Sequence, residues 1–133
     1  MPQLEMTLAA VPTAPRAARH AVRTWFQSRH CDDDAADTAA LLVTELVSNA
    51  VAHANGPSLW LTVDETTADV LHVAVRDDSQ GIPQRLPRRP DVHRTGGRGL
   101  FMVDAMSARW GWEPLRAGKR VWFELPCAAI SHS

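Results

Sequence analysis

A polar stripe along one predicted helix holds the residue types best suited to chemistry. The sequence from Leu41 onward has no helix breaker until Gly56, and at 3.6 residues per turn Glu45, Asn49 and His53 follow one another on one face. Nearly every other direction is apolar, so we expect a buried helix whose carboxylate and carboxamide face into the protein and need partners. Such a pair, four residues apart, suits a hard cation and a proton transfer.

Composition limits the classes of protein that can carry this stripe. The chain has 133 residues, 45% hydrophobic and 22% charged, which is typical of one soluble domain. No apolar run has membrane-spanning length, and the first residues lack a secretory signal, so we expect a cytoplasmic protein without a membrane partner. The net charge of −1 disfavours nucleic acid as a direct partner. In that compartment Cys31 and Cys127 are expected to be free thiols.

The order of elements predicts an α+β fold. Helix and strand patterns alternate without repeats, and the result is a two-layer sandwich with helices on one face of a largely antiparallel sheet. Three adjacent aspartates at 32–34 are interpreted as the cap and first turn of the stripe-bearing helix rather than as a metal cluster. The predicted strands are 6–10, 58–63, 69–76, 109–113 and 120–125, and the predicted helices are 14–29, 34–54 and 99–108.

The stretch from Asp77 to Gly99 interrupts this regular pattern. Asp77 is predicted at the end of a strand, a position that often carries function. The middle of the stretch is rich in Arg and Pro, and a loop of this length in a small domain is usually functional or disordered. It ends in Gly97-Arg98-Gly99 at a helix start, where backbone N–H groups and the helix dipole favour phosphate. By itself this glycine pattern is equally compatible with a hinge.

Together these blocks resemble the GHKL ATPase superfamily, which has the Bergerat fold. Segment 45–49 looks like its N box, 75–82 like its first glycine box, 97–100 like its second, and 118–123 like its final hairpin. The resemblance implies a single histidine kinase-like ATPase domain over 1–133. It also implies a two-layer α/β sandwich with a mostly antiparallel mixed sheet, and a nucleotide lid at 79–98.

Among members of the superfamily, this small chain most resembles the anti-sigma factor serine/threonine kinases. That resemblance implies ATP and Mg²⁺ as cofactors, a sigma factor and a STAS-type anti-sigma factor antagonist as protein partners, and a homodimer. The implied activity is phosphorylation of the antagonist, with regulation of the sigma factor by partner switching.

The resemblance also implies roles for individual residues. Glu45 is expected to be the general base, Asn49 to supply an oxygen to Mg²⁺, and Asp77 to accept a hydrogen bond from the adenine amino group. His53 either reaches the phosphates or forms a hydrogen bond at the helix end, and the Arg98 side chain either contacts phosphate or points outward. The other expected nucleotide contacts are Gly81, Ile82, Gly97, Gly99 and Leu100.

Two positions depart from the family pattern, and three functions stay open. Ser79 replaces the first glycine of the first glycine box, and Lys119 stands where many relatives carry threonine near the adenine. The preferred function is the kinase described above. The alternatives are an ATP-dependent protein-binding regulatory module without phosphoryl transfer, and an interaction domain with a degenerate pocket.

Overall fold

A computed structural model describes residues 3–53, 56–67, 69–78 and 102–128. Within them, two helices and five strands have bounds close to those predicted, and residues 102–106 are also helical. In chain order the elements are β1 (Leu4–Ala9), α1 (Ala14–Ser28), α2 (Asp33–His53), β2 (Ser58–Thr67), β3 (Val70–Asp77), β4 (Arg109–Leu115) and β5 (Gly118–Pro126).

The five strands form one sheet in the order β1-β2-β3-β5-β4, and all four pairings are antiparallel. The expected α+β sandwich is confirmed, with a sheet that is antiparallel throughout these strands. Because side chains alternate between the two faces of a strand, every second residue faces the helices. The core residues on that face of β2, β3 and β5 are Leu59, Leu61, Val63, Leu71, Val73, Val75, Phe123 and Leu125.

The helices cover this apolar face. In α1 a four-residue spacing places Ala14, Ala18, Val22 and Phe26 on one buried stripe. Helix α2 is buried over most of its length and contacts α1 and strands β2, β3 and β5. By length and composition α2 is apolar enough to cross a membrane, with a mean hydropathy of 1.2, but half of that window is buried inside the fold, as in a core helix.

The acidic run at the start of α2 has the structural role expected for it. Asp33 and Asp34 lie in the first turn of the helix, where carboxylates interact favourably with the helix dipole. The Asp32 carbonyl accepts a hydrogen bond from the Ala36 N–H at 3.0 Å, so the helix begins at this aspartate run.

The expectation of two free thiols is wrong. Cys31 and Cys127 form a disulfide, with their Cα atoms 4.6 Å apart. The α1–α2 connection lies against the end of β5, where the Asp32 N–H donates to the Cys127 carbonyl at 3.0 Å. The 96-residue separation hid this proximity, because it arises from the position of β5 between β3 and β4 in the sheet.

Candidate functional site

The helix that carries the predicted polar stripe is formed, but the stripe is less buried than predicted. Glu45 and Asn49 lie one turn apart and are both partly exposed, between buried apolar neighbours such as Leu46 and Ala50. His53 is the last residue of α2 and is exposed. The helix therefore presents a carboxylate and a carboxamide from a rigid, well-packed element.

The carboxamide of Asn49 has an unmet hydrogen-bonding need. Its Nδ2 atom is buried and has no hydrogen-bond partner among the residues that the structure describes. Burying an amide without a partner is costly, so such an atom marks a place where another group is expected. A 180° rotation of the carboxamide exchanges its nitrogen and oxygen, and the same position can then offer either a donor or an acceptor.

Asp77 lies at the end of a strand, as predicted. It is the last residue of β3, only 2% exposed, and its place in the strand alternation puts it on the helix-facing side with Val75. The β3–β5 register sets Lys119 directly opposite. The Lys119 Nζ lies 3.2 Å from one carboxylate oxygen of Asp77 and 3.4 Å from the other, so the carboxylate is paired with a buried ammonium.

One hydrogen bond joins the end of α2 to the end of β3. The Gly56 N–H, three residues beyond the last residue of α2, donates to the Asp78 carboxylate at 2.9 Å. A Cβ on Gly56 would lie 1.6 Å from the other Asp78 carboxylate oxygen, so the close approach requires glycine. This contact sets the end of α2, the helix with the stripe, beside the end of β3, the strand with Asp77, and these two ends form one corner of the fold.

Gly118 completes this corner. Its φ of +143° is a conformation that glycine adopts and other residues rarely do. A Cβ there would lie 1.9 Å from the Asp77 carbonyl oxygen and 2.8 Å from the Asp78 Cα. The glycine lets the start of β5 approach the end of β3, which sets the Asp77–Lys119 pair.

The remaining predicted contacts lie outside the described residues. They are Gly81, Ile82, Gly97, Arg98, Gly99 and Leu100, together with the predicted lid at 79–98 and the family departure at Ser79. Their roles stay predictions. The described part of the chain also holds no group of three or more His, Cys, Asp or Glu side chains arranged as a metal centre.

Sequence reasoning missed a polar network on the sheet face opposite the helices. There His72 Nδ1 lies 2.9 Å from Glu124, and its Nε2 lies 2.7 Å from an Arg120 nitrogen. The His72 ring stacks on Trp122 with centroids 4.9 Å apart. These residues meet only through the β3–β5 pairing, so no local motif could have identified them.

The tryptophans of β4 and β5 divide between the two faces of the sheet. Trp110 packs against the core and its Nε1 donates to Asp104 at 2.7 Å. Trp112 pairs with Val121 across β4 and β5, while Trp122 lies on the open face. All three are residues of the sheet.

A family model describes the same region. The model of the histidine kinase-like ATPase domain matches residues 8–124, which include every element of the corner described above. The chain belongs to this family. The resemblance to the GHKL superfamily is thereby confirmed. A separate comparison with curated protein sequences found no match.

Solved structures agree on the fold. The RsbU and RsbW domains of Rv1364c from Mycobacterium tuberculosis match with a TM-score of 0.72 at 19% identity, over 95% of this chain and 32% of that one. The histidine kinase domain of the blue-light activated kinase EL346 from Erythrobacter litoralis matches with a TM-score of 0.52 at 26% identity, over 71% and 46%. This chain thus spans less than half of either relative.

A third match covers almost the whole of both chains. The catalytic domain of histidine kinase ThkA is 16% identical, with a TM-score of 0.57 over 95% of this chain and 97% of that one. Membership of an ATPase domain family implies ATP binding.

Proposed function

We propose that this protein is an ATP-dependent serine/threonine kinase of the anti-sigma factor type. It phosphorylates a STAS-type anti-sigma factor antagonist and regulates a sigma factor by partner switching. The fold likeness to a structure containing an RsbW domain, over 95% of this chain, supports this choice. The observation that carries it is the corner where the end of α2 meets the end of β3 through the hydrogen bond from Gly56 to Asp78. Asp77 is buried there, and the Nδ2 atom of Asn49 has no hydrogen-bond partner among the described residues.

The residues present fit ATP with its metal. The Asp77 carboxylate would accept a hydrogen bond from the adenine amino group. The Asn49 carboxamide, whose buried nitrogen has no partner among the described residues, could turn its oxygen toward Mg²⁺. Mg²⁺ keeps several waters and phosphate oxygens as ligands, so one protein oxygen suffices. When bound, the metal neutralises charge on the phosphates during transfer.

Glu45 is the proposed general base. Its carboxylate takes the proton from a serine or threonine hydroxyl of the partner while that oxygen forms a bond to the γ-phosphorus. The bond between the γ-phosphorus and the bridging oxygen breaks, and ADP leaves with that oxygen. Glu45 is partly exposed on a rigid helix, which suits a base that must meet a substrate on another protein.

The other assignments follow from the resemblance. We propose that Gly81 and Ile82 contact the base, that His53 reaches the phosphates, and that segment 79–98 closes over the nucleotide. The proposed contacts of the second glycine box with the phosphates are Gly97, Arg98, Gly99 and Leu100. We further propose a homodimer that works in the cytoplasm.

Transfer of labelled phosphate tests this function. The protein is incubated with γ-labelled ATP and purified STAS-type antagonists, and label on the antagonist is measured for wild type, Glu45→Ala and the control Glu5→Ala on edge strand β1. We expect labelling by wild type and the control, a loss of about 10²-fold or more for Glu45→Ala, and ATP binding in all three. Equal labelling by Glu45→Ala contradicts the proposed base.

The same experiment distinguishes the kinase from the alternative function, a binding module. An ATP-dependent binding module without kinase activity would bind ATP and the partner, yet leave the antagonist unlabelled in every variant. That outcome, with ATP bound by the wild type, would replace the kinase proposal with the module.

A further inference from the structure

Lys119 is the only lysine in the chain. It is buried at the corner formed by α2, β3 and β5, where the proposed function places the nucleotide. Its side chain is 10% exposed and that of Asp77 is 3% exposed. Lysine is rarely this buried unless it is paired, and a buried pair is seldom more stabilising than apolar residues of the same volume. A role in recognition would explain why an ammonium is held at this place.

The pair presents two complementary polar groups side by side. A carboxylate only accepts hydrogen bonds, through the lone pairs of its two oxygens, whereas an ammonium only donates and has three N–H bonds. Asp77 and Lys119 stand opposite each other in the β3–β5 register, with their polar atoms 3.2 Å apart. Together they offer an acceptor next to a donor on the helix-facing side of the sheet.

The edge of adenine carries the reverse pattern. Its 6-amino group donates and the adjacent ring nitrogen N1 accepts, so a base whose amino group reaches Asp77 brings N1 close to the neighbouring ammonium. Guanine in the same pose would set its carbonyl oxygen against the carboxylate and its N1–H against the ammonium, and both contacts would repel.

We propose that Lys119 is a second base-reading residue, which donates a hydrogen bond to N1 of adenine while Asp77 accepts from the amino group. Without nucleotide, the ammonium serves as the counter-charge of the buried carboxylate, as the structure shows. The inference rests on the proposed ATP site and adds a specificity-determining residue to it.

Two ATP analogues separate the two contacts. In 1-deaza-ATP, a C–H group replaces N1 and the amino group remains; in purine riboside triphosphate, the amino group is missing and N1 remains. Affinities of ATP and both analogues are measured by calorimetry for the wild type, Lys119→Met and the control Arg120→Met. Arg120 is the next residue along β5 and lies on the opposite face of the sheet.

We expect the wild type to bind each analogue roughly ten- to a hundredfold more weakly than ATP, as for loss of one hydrogen bond to a charged group. Lys119→Met is expected to bind ATP and 1-deaza-ATP within about twofold of each other, while still rejecting purine riboside triphosphate. Arg120→Met keeps the wild-type pattern. A lysine that only neutralises Asp77 would not produce this selective change.

Each other outcome overturns the proposal. It fails if the wild type binds 1-deaza-ATP as tightly as ATP, a measurement that needs no substitution and decides the matter even if Lys119→Met does not fold. It also fails if Lys119→Met still discriminates against 1-deaza-ATP. A wild type that binds ATP without discriminating at N1 refutes this inference alone, whereas a wild type that binds no ATP refutes the proposed function as well.

Discussion

Replacing Gly118 with alanine is expected to damage both stability and nucleotide binding. The new Cβ would lie 1.9 Å from the Asp77 carbonyl oxygen and 2.8 Å from the Asp78 Cα, and both are backbone atoms that cannot turn aside. The φ of +143° is also unfavourable for alanine. Relief of both problems requires β5 to move away from the end of β3, which separates Lys119 from Asp77.

The expected cost combines two effects. An unfavourable backbone conformation costs on the order of 1–3 kcal/mol, and overpacking costs typically about 1–3 kcal/mol. Gly118→Ala should therefore lower the free energy of unfolding by about 2–6 kcal/mol, a large share of the ~5–15 kcal/mol of a typical domain. Urea unfolding measures this change, and calorimetry with ATP on the folded variant measures the effect on the site.

Gly111→Ala in the adjacent strand β4 is the matched control. Its Cβ would meet the Trp122 ring at 2.8 Å, a side chain that can shift, and Gly111 has no positive φ. We expect a smaller loss of about 1 kcal/mol and unchanged ATP affinity. The reasoning is refuted if Gly118→Ala has the same urea midpoint of unfolding as the wild type. It is also refuted if Gly111→Ala lowers the free energy of unfolding more than Gly118→Ala does.

Three further variants test the packing that supports the site. Replacing Cys31 and Cys127 together with serine should lower the free energy of unfolding by up to about 4.7 kcal/mol, because the disulfide closes a 96-residue separation; equal urea midpoints with and without reductant for the wild type would contradict this. Phe26→Ala removes a fully buried ring and should cost about 3–5 kcal/mol, measured by thermal unfolding against wild type. His72→Phe breaks the hydrogen bonds to Glu124 and Arg120 and should cost about 1–3 kcal/mol; an unchanged urea midpoint would show that the network adds nothing.

Local patterns predicted the elements well, because helix periodicity, strand alternation and turn signals depend only on residues that are close together in the sequence. The stripe of α2 and the place of Asp77 at the end of β3 followed from such patterns. The two hairpins, β2–β3 and β4–β5, were also foreseen. The family resemblance supplied the sandwich, and the structure confirmed it.

The pairing between hairpins was not foreseen, and the missed features of the site all depend on it. The Asp77–Lys119 pair, the His72 network and the approach of Cys127 to Cys31 each require β5 to lie beside β3. The register of two strands separated by forty residues is set by the whole core, so a local pattern does not contain it. Lys119 was noted as a departure from the family pattern, but its pairing with Asp77 was not predicted.

Calorimetric titration with ATP and Mg²⁺ tests the central claim, that nucleotide binds at the corner of α2, β3 and β5. The titration compares the wild type with Asp77→Asn, and with Asp64→Asn in β2 as a control. We predict ATP binding by the wild type and the control. We predict an affinity at least about tenfold lower for Asp77→Asn, because a neutral carboxamide replaces the charged acceptor of the amino group. A wild type that does not bind ATP would contradict the account. So would an Asp77→Asn variant that binds ATP as tightly as the wild type.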